Sequence, residues 1–255
     1  MDVFEACEAM VKAADPDRYV AALFAPAAGR KYLFALYAFN LEIARVAEAV
    51  RQPMLGEIRL QWWRETVEQA QQDRPREHDV ARALAATFAE VDLPLALFDR
   101  MLEARIFDSS PESFETLDAL ETYADQTSGN LVRLAQAALG ESNEDLAREA
   151  GLAYGLIGIL RAIPFHAQRN KHFLGGSLLA QTVKERALAH LAAASRAARR
   201  SGMSVAALPA ATVPLYAKAL AKHPHAVALY RRQWAILRAA TTGRFRTPPL
   251  DRSSP

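Results

Sequence analysis

The sequence predicts an all-α protein, and three observations carry that expectation. Ala, Leu, Arg and Glu dominate while only 11 of 255 residues are Gly, and these side chains lose little rotamer freedom in a helix. Apolar residues recur at three- and four-residue spacing in segment after segment. No stretch alternates apolar and polar residues as a half-buried strand does. With 51% apolar residues the chain suits one sizeable core. Residues 1–240 are read as a single domain and 241–255, rich in Arg, Pro and Ser, as a disordered tail.

The elements follow from local signals. Asp15-Pro16-Asp17 separates a first short helix from a second. From Ala28 to Val50, Leu33, Leu36, Tyr37, Phe39, Leu41, Ile43, Val46 and Val50 give a broad apolar surface, as in a helix buried on most sides. Pro53 ends it, and Glu57 to Gln72 forms the next helix, with Trp62-Trp63 beside Arg59 and Arg64. Segments 79–90 and 94–107 read as a hairpin with Pro94 in a first turn. Phe114 to Leu139 is helical with an interruption near Ser128-Gly129-Asn130. Gly140 suits a C-terminal cap and Asn143 an N-cap for a helix running towards Pro164. Lys184–Arg200, Val205–Ala221 and Ala226–Ala240 complete the set.

Charge is distributed unevenly along the chain. Residues 1–150 hold 15 Lys/Arg against 27 Asp/Glu, a balance of −12; residues 151–255 hold 16 against 2, a balance of +14, which recovers the net +2. Either the two parts pair within one fold, or the basic part meets an anionic lipid, a phosphorylated ligand or an acidic protein. The basic residues are dispersed and form no nucleic-acid motif, so nucleic acid is not an expected partner. No run reaches ~18 uninterrupted apolar residues, the length a spanning helix needs. The start, Met1-Asp2-Val3-Phe4-Glu5, lacks the basic-then-apolar order of a signal peptide, and the single cysteine, Cys7, has no partner for an internal disulfide. The expected setting is a bacterial cytoplasm, with peripheral contact to the inner membrane, or the mature form of an organellar protein.

Two stretches carry a family likeness. One is Tyr37-Ala38-Phe39-Asn40-Leu41-Glu42-Ile43-Ala44-Arg45-Val46-Ala47-Glu48, with Leu60-Gln61-Trp62-Trp63-Arg64-Glu65 after it. The other is Gly151 to Ala162, running into Asn170-Lys171-His172-Phe173-Leu174. Between them stand Tyr123-Ala124-Asp125 and Ser128-Gly129-Asn130. These resemble the squalene/phytoene synthase family over most of residues 15–240. The resemblance implies an isoprenoid-synthase-type helical bundle around a central cavity. It also implies two aspartate-rich motifs on facing helices. A prenyl diphosphate ionises only when its departing diphosphate is neutralised, and Mg²⁺ held by carboxylates one turn apart does this.

Here the first aspartate pair falls on Ala44 and Arg45 and the next-turn aspartate on Glu48. The second motif becomes Arg161-Ala162-Ile163-Pro164-Phe165-His166, with Gly155 and Gly158 at the turns before it. These departures are similar to the branch of the family that contains the mitochondrial assembly factor 6 of respiratory complex I and its bacterial relatives. The resemblance implies a catalytically degenerate protein that assists complex I assembly at the membrane. Complex I subunits or assembly proteins are the implied partners, with an isoprenoid or lipid ligand and an anionic membrane surface. No cofactor is expected on this reading. The competing reading is an active prenyl-diphosphate transferase that binds Mg²⁺ through relocated ligands; the third is a lipid carrier.

The candidate cavity or ligand-binding residues are Tyr37, Leu41, Ala44, Arg45, Glu48, Gly155, Gly158, Arg161, Ala162 and His166. Glu48 is the one candidate metal ligand, and Glu121 and Asp125 could join it only in a weak cation site. The Gly151–Gly155–Gly158–Ala162 stripe reads either as close helix packing or as room for a ligand. His166 reads as a hydrogen-bonded histidine at a helix end or, with Arg161, Arg169 and Lys171, as a phosphate site. Arg64 is expected to pair with Glu42 or Glu48. Arg196, Arg199 and Arg200 make a basic stripe, either solvated or facing a membrane.

Overall fold

A computed structural model describes residues 2–50, 52–169, 171–220 and 227–247. Its helices are α1 (Val3–Ala14), α2 (Pro16–Ala22), α3 (Ala27–Ala44), α4 (Val46–Ala49), α5 (Pro53–Gln71), α6 (Asp79–Phe88), α7 (Leu95–Ser109), α8 (Leu117–Ala124), α9 (Asn130–Ala138), α10 (Glu144–Ala167), α11 (Ala180–Ser201), α12 (Val213–Ala219) and α13 (Leu229–Thr242). A π turn, Asp125–Gly129, joins α8 to α9, and a 3₁₀ segment, Val205–Thr212, leads into α12. The described residues hold no strand, only an isolated bridge between Phe114 and Leu174. The all-α expectation stands.

Local chemistry sets the ends. The Asp2 side chain accepts from Phe4 N–H while Glu5 reaches back to the Asp2 N–H, a capping box at the start of α1. Asp15 caps α2 through the Arg18 N–H at 3.1 Å, with Pro16 in the first turn. Asn143 caps α10 through Leu146 N–H at 3.0 Å, and Gly140 takes φ +69° just past α9. The single helix expected over Ala28–Val50 is two, divided at Arg45. The helix expected to reach towards Pro164 runs through it to Ala167. Proline removes one N–H from the ladder, yet its fixed φ suits a helix whose last turn is open to solvent.

Two apolar clusters form the interior. One gathers α1, α3, α5, α6, α7 and α9 around Phe39, whose ring meets Trp63 and Phe98 edge-on at 5.7 and 5.2 Å. Burial there pushes the Cys7 thiol up to about 12, so it is an inert core side chain. The other cluster gathers α8, α10–α13 and the 3₁₀ segment around Leu156, Leu191 and Leu208. By length and composition α10 is the one described helix that could cross a membrane. Leu146, Leu152, Leu156, Ile157 and Leu160 are instead buried in this cluster, so α10 reads as its central helix.

The C-terminal end departs from expectation. Helix α13 includes residues 241 and 242, and Phe245 is buried in the second cluster. The remainder of the expected tail, 248–255, lies outside the described residues, as do Ala221, Ala226 and Asn170.

Candidate functional site

A cavity of about 220 Å³ lies between α3, α4, α7, α8, the π turn and α10. Ala44, Glu48, Gly155, Gly158, Ala162 and His166 line it. An outer groove of about 570 Å³ shares Glu48, Asp108 and His166 with it and adds Arg169 and Lys171. The remaining candidates sit elsewhere. Tyr37 is buried in the first cluster with no partner for its hydroxyl among the described residues, and burial raises its pKa. Leu41 packs against that cluster, and Arg45 is exposed at the α3–α4 break. Arg161 lays its guanidinium over the Tyr216 ring at 3.7 Å, towards the second cluster.

The small-residue stripe divides between its two readings. A Cβ on Gly151 would fall 2.4 Å from Gly129 Cα, and one on Gly155 would fall 3.0 Å from Ser128 Cβ. These two glycines let α10 close on the π turn. A Cβ on Gly158 would meet nothing within 4 Å, because this position faces the open cavity. The π turn matters here: its extra residue per turn brings Thr127 and Ser128 to the cavity wall. The Ser128 hydroxyl has no hydrogen-bond partner among the described residues.

Sequence reasoning missed the polar wall contributed by α7 and α8. Arg105 Nη1 donates to Asp108 Oδ2 at 3.0 Å and to Tyr123 Oη at 2.8 Å, while Tyr123 Oη donates to Asp108 Oδ1 at 2.6 Å. Burial opposes charge on the Arg105 guanidinium, but Tyr123 and Asp108 outweigh it and hold its pKa above the usual range. Burial pushes the Tyr123 phenol up. The i, i+3 spacing of Arg105 and Asp108 was a weak signal for an ion pair and no signal for a cavity, since helix surfaces carry many such pairs. Arg18 and Tyr154 were also missed; the Arg18 guanidinium lies 4.8 Å over the Tyr154 ring and donates to Asp15 at 2.6 Å.

The chain's donors do not fit a Mg²⁺ cluster. Among the described residues no three His, Cys, Asp or Glu side chains gather to hold an ion. Of the two cavity carboxylates, Glu48 stands alone and Asp108 has both oxygens engaged by Arg105 and Tyr123. Mg²⁺ takes six oxygens at close octahedral spacing and is repelled by a neighbouring guanidinium. Glu121 and Asp125 are committed elsewhere: Glu121 to His190 and Arg186, Asp125 to Arg133.

The basic run 161–171 does not act as one cluster: Arg161 turns away while Arg169 and Lys171 line the outer groove. Lys171 Nζ donates to the carbonyls of Phe107, Ser110 and Glu112 at 3.0, 2.7 and 2.7 Å, spending all three N–H groups on the chain leaving α7. Burial lowers its pKa. Arg169 stacks on Phe165 at 4.1 Å. His166 makes no side-chain hydrogen bond among the described residues, so it is not the hydrogen-bonded helix-end histidine expected. It leans on Phe173 at 4.8 Å, and burial lowers its pKa against the pull of Asp108 and Glu48. Desolvation thus favours the neutral imidazole at the cavity mouth.

Other expected pairings are rearranged. Arg64 bonds Asp99 at 2.6 Å and Glu103 at 3.0 Å on α7 rather than Glu42 or Glu48. Arg200 meets Asp145 at 2.9 Å, so part of the α11 stripe is neutralised. With Arg186–Glu121, His190–Glu149 and Arg232–Asp17, the basic and acidic parts of the chain do pair across the fold, though incompletely.

Comparison with known proteins agrees with this geometry at the level of the fold. A dehydrosqualene synthase superposes with a TM-score of 0.77 at 17% identity, covering 94% of this chain and 95% of its own. The squalene synthase HpnC of Alicyclobacillus acidocaldarius gives 0.63 at 17% identity, with 94% of both chains covered. The human NADH dehydrogenase (ubiquinone) complex I assembly factor 6 is 31% identical over 171 residues, which cover 66% of this chain and 51% of the human protein. A Drosophila melanogaster homolog of that factor is 29% identical over 168 residues, 62% of this chain and 50% of its own length. The chain thus spans about half the length of the curated relatives it matches. The family model for squalene/phytoene synthase matches residues 11–244, from α1 to the end of α13. A match over residues 11–244, nearly the whole described helical bundle, makes this chain a member of the squalene/phytoene synthase family.

Proposed function

We propose that the chain is a catalytically silent member of its family that assists assembly of respiratory complex I, peripheral at the membrane. The observation that carries the reading is the cavity wall: Ala44 and Ala162 stand where the resemblance implies metal-binding aspartates, and the one other carboxylate beside Glu48 is locked to Arg105 and Tyr123. Without a metal cluster there is nothing to neutralise a departing diphosphate. The inner cavity of about 220 Å³ is by itself below the roughly 300–1,000 Å³ of sites that bury drug-sized ligands, and it opens through Glu48, Asp108 and His166 to the outer groove. A single isoprenoid or lipid tail entering from the outer groove is the ligand this shape favours, with Gly158, Ile159 and Phe173 supplying apolar wall. Similarity to proteins named complex I assembly factor 6 supports the assembly role.

Deleting the gene should lower complex I activity and leave complex II unchanged; normal complex I would refute the assembly role. Purified protein given farnesyl or geranylgeranyl diphosphate with Mg²⁺ should release no diphosphate above the protein-free rate. Metal-dependent release abolished by Glu48→Ala would refute the silent-site reading and favour the prenyltransferase instead. Mass spectrometry of the protein extracted with organic solvent should find a co-purifying prenyl or acyl lipid, and repeated absence would remove the ligand.

A further inference from the structure

Helix α13 carries two apolar faces. On one, Ile236 and Ala239 are buried in the second cluster, and Arg232 beside them is bonded to Asp17. That face is enough to seat the helix. On the opposite face Tyr230, Trp234, Leu237 and Thr241 recur at four-, three- and four-residue spacing, one stripe along the helix. Tyr230 and Trp234 are each 63% exposed and Leu237 is 37% exposed. An aromatic stripe aimed at water does nothing for the packing of the fold.

The surroundings of the stripe give its chemistry. Ala211, Pro214 and Leu215 form the other wall of an open groove of about 550 Å³ beside it. Gly243, at φ +65°, turns the chain back after α13, and buried Phe245 anchors the turn. This places Arg244 and Arg246 on the groove with Arg231 and Arg238. Among the described residues none of these four pairs with a carboxylate, whereas Arg232 on the inner face does. Residues 227–247 contain no Asp or Glu at all. A second copy of the chain would set four guanidinium groups against four, which like-charge repulsion opposes.

The geometry points to α13 as the membrane-docking surface of this protein, lying in the headgroup layer of an anionic bilayer. Tyr and Trp favour that layer because one end of each ring system is apolar and the other polar. Arginines flanking an apolar stripe add attraction to anionic lipid phosphates, which draws in basic interfacial helices. The proposal rests on the peripheral membrane association proposed above and is independent of the client protein. The basic stripes named from sequence lack this combination: on α11 Arg200 pairs with Asp145 and no aromatic side chain stands beside the arginines, and at 161–171 Lys171 gives its N–H groups to backbone carbonyls.

The full chain should co-sediment with phosphatidylglycerol-containing vesicles and not with phosphatidylcholine vesicles, and added salt should weaken the binding. Trp234 fluorescence should shift to the blue on binding and be quenched by brominated lipid, a signal lost in Trp234→Phe. Arg238→Glu with Arg244→Glu should lower vesicle affinity at least about tenfold, with an unchanged circular-dichroism spectrum. Equal binding to neutral and anionic vesicles would overturn the proposal. So would undiminished binding by the double charge reversal, or brominated-lipid quenching that survives in Trp234→Phe. If the groove instead takes an acidic peptide or a second copy, the chain stays off vesicles, and light scattering or peptide titration shows the occupant. In either case complex I levels in the deletion strain are unaffected by the answer, so failure here and failure of the assembly role are separable.

Discussion

Asp17→Ala tests how the C-terminal helix is held to the rest of the protein. Asp17 is 2% exposed. It accepts from Arg232 Nη1 at 2.7 Å, from the Tyr216 hydroxyl at 2.5 Å and from the Tyr154 hydroxyl at 3.4 Å, joining α2 to α10, α12 and α13. Removing the carboxylate strands the Arg232 charge and leaves Tyr216 without its acceptor, whose phenol burial already holds in the neutral form. Breaking a buried pair by deleting one partner costs about 3–5 kcal/mol. The Arg232 side chain keeps 16% exposure and regains some hydration, which favours the lower figure, about 3 kcal/mol. For a chain of this size each kcal/mol moves Tm by roughly 2–4 °C, so the expected drop is about 6–12 °C. Urea unfolding followed by circular dichroism gives the free energy directly. Arg232→Met added to Asp17→Ala should recover part of the loss, since the stranded charge is then gone. A single mutant within about 1 kcal/mol of the parent would show that the cluster does not hold α13 in place.

The glycine stripe gives an opposed pair. Gly151→Ala drives a methyl group into the Gly129 backbone and should cost about 1–3 kcal/mol, whereas Gly158→Ala meets no atom and should gain about 0.5–1 kcal/mol from helix propensity; thermal melts that reverse this order would contradict the division of the stripe. His190 sits between Glu149 and Glu121 at 2.7 and 3.2 Å, and although burial opposes it, these carboxylates raise its pKa. Its contribution is therefore complete below the unfolded histidine value of about 6.5 and is lost as pH rises through the higher folded value. The urea midpoint should fall across that window, and His190→Gln should flatten the fall. Lys171→Met leaves the carbonyls of Phe107, Ser110 and Glu112 without their donor and should cost about 1–3 kcal/mol, read by the same unfolding curve; no change would mean that solvent replaces the ammonium.

Reading the helices needed only the chain. Apolar spacing, Pro16 and Pro53, and caps such as Asn143 and Gly140 act within a turn or two, so their effect is written in neighbouring residues. The same locality made Gly155, Gly158 and Ala162 legible as one helix face, whereas Glu48 stood out only through the family resemblance. It could not show that Gly151 and Gly155 serve contact while Gly158 faces space, because that depends on how α10 meets the π turn. Nor could it join Asp17 to Arg232, or show that the Lys171 N–H donors are taken by carbonyls some sixty residues earlier. By itself the sequence determined the fold class and the family likeness. Only the tertiary structure decided which charges are neutralised, which small residues leave a cavity and which apolar stripe of α13 stays uncovered. Burial and ion pairing depend on distances between segments remote in the chain, and residue order does not encode those distances locally.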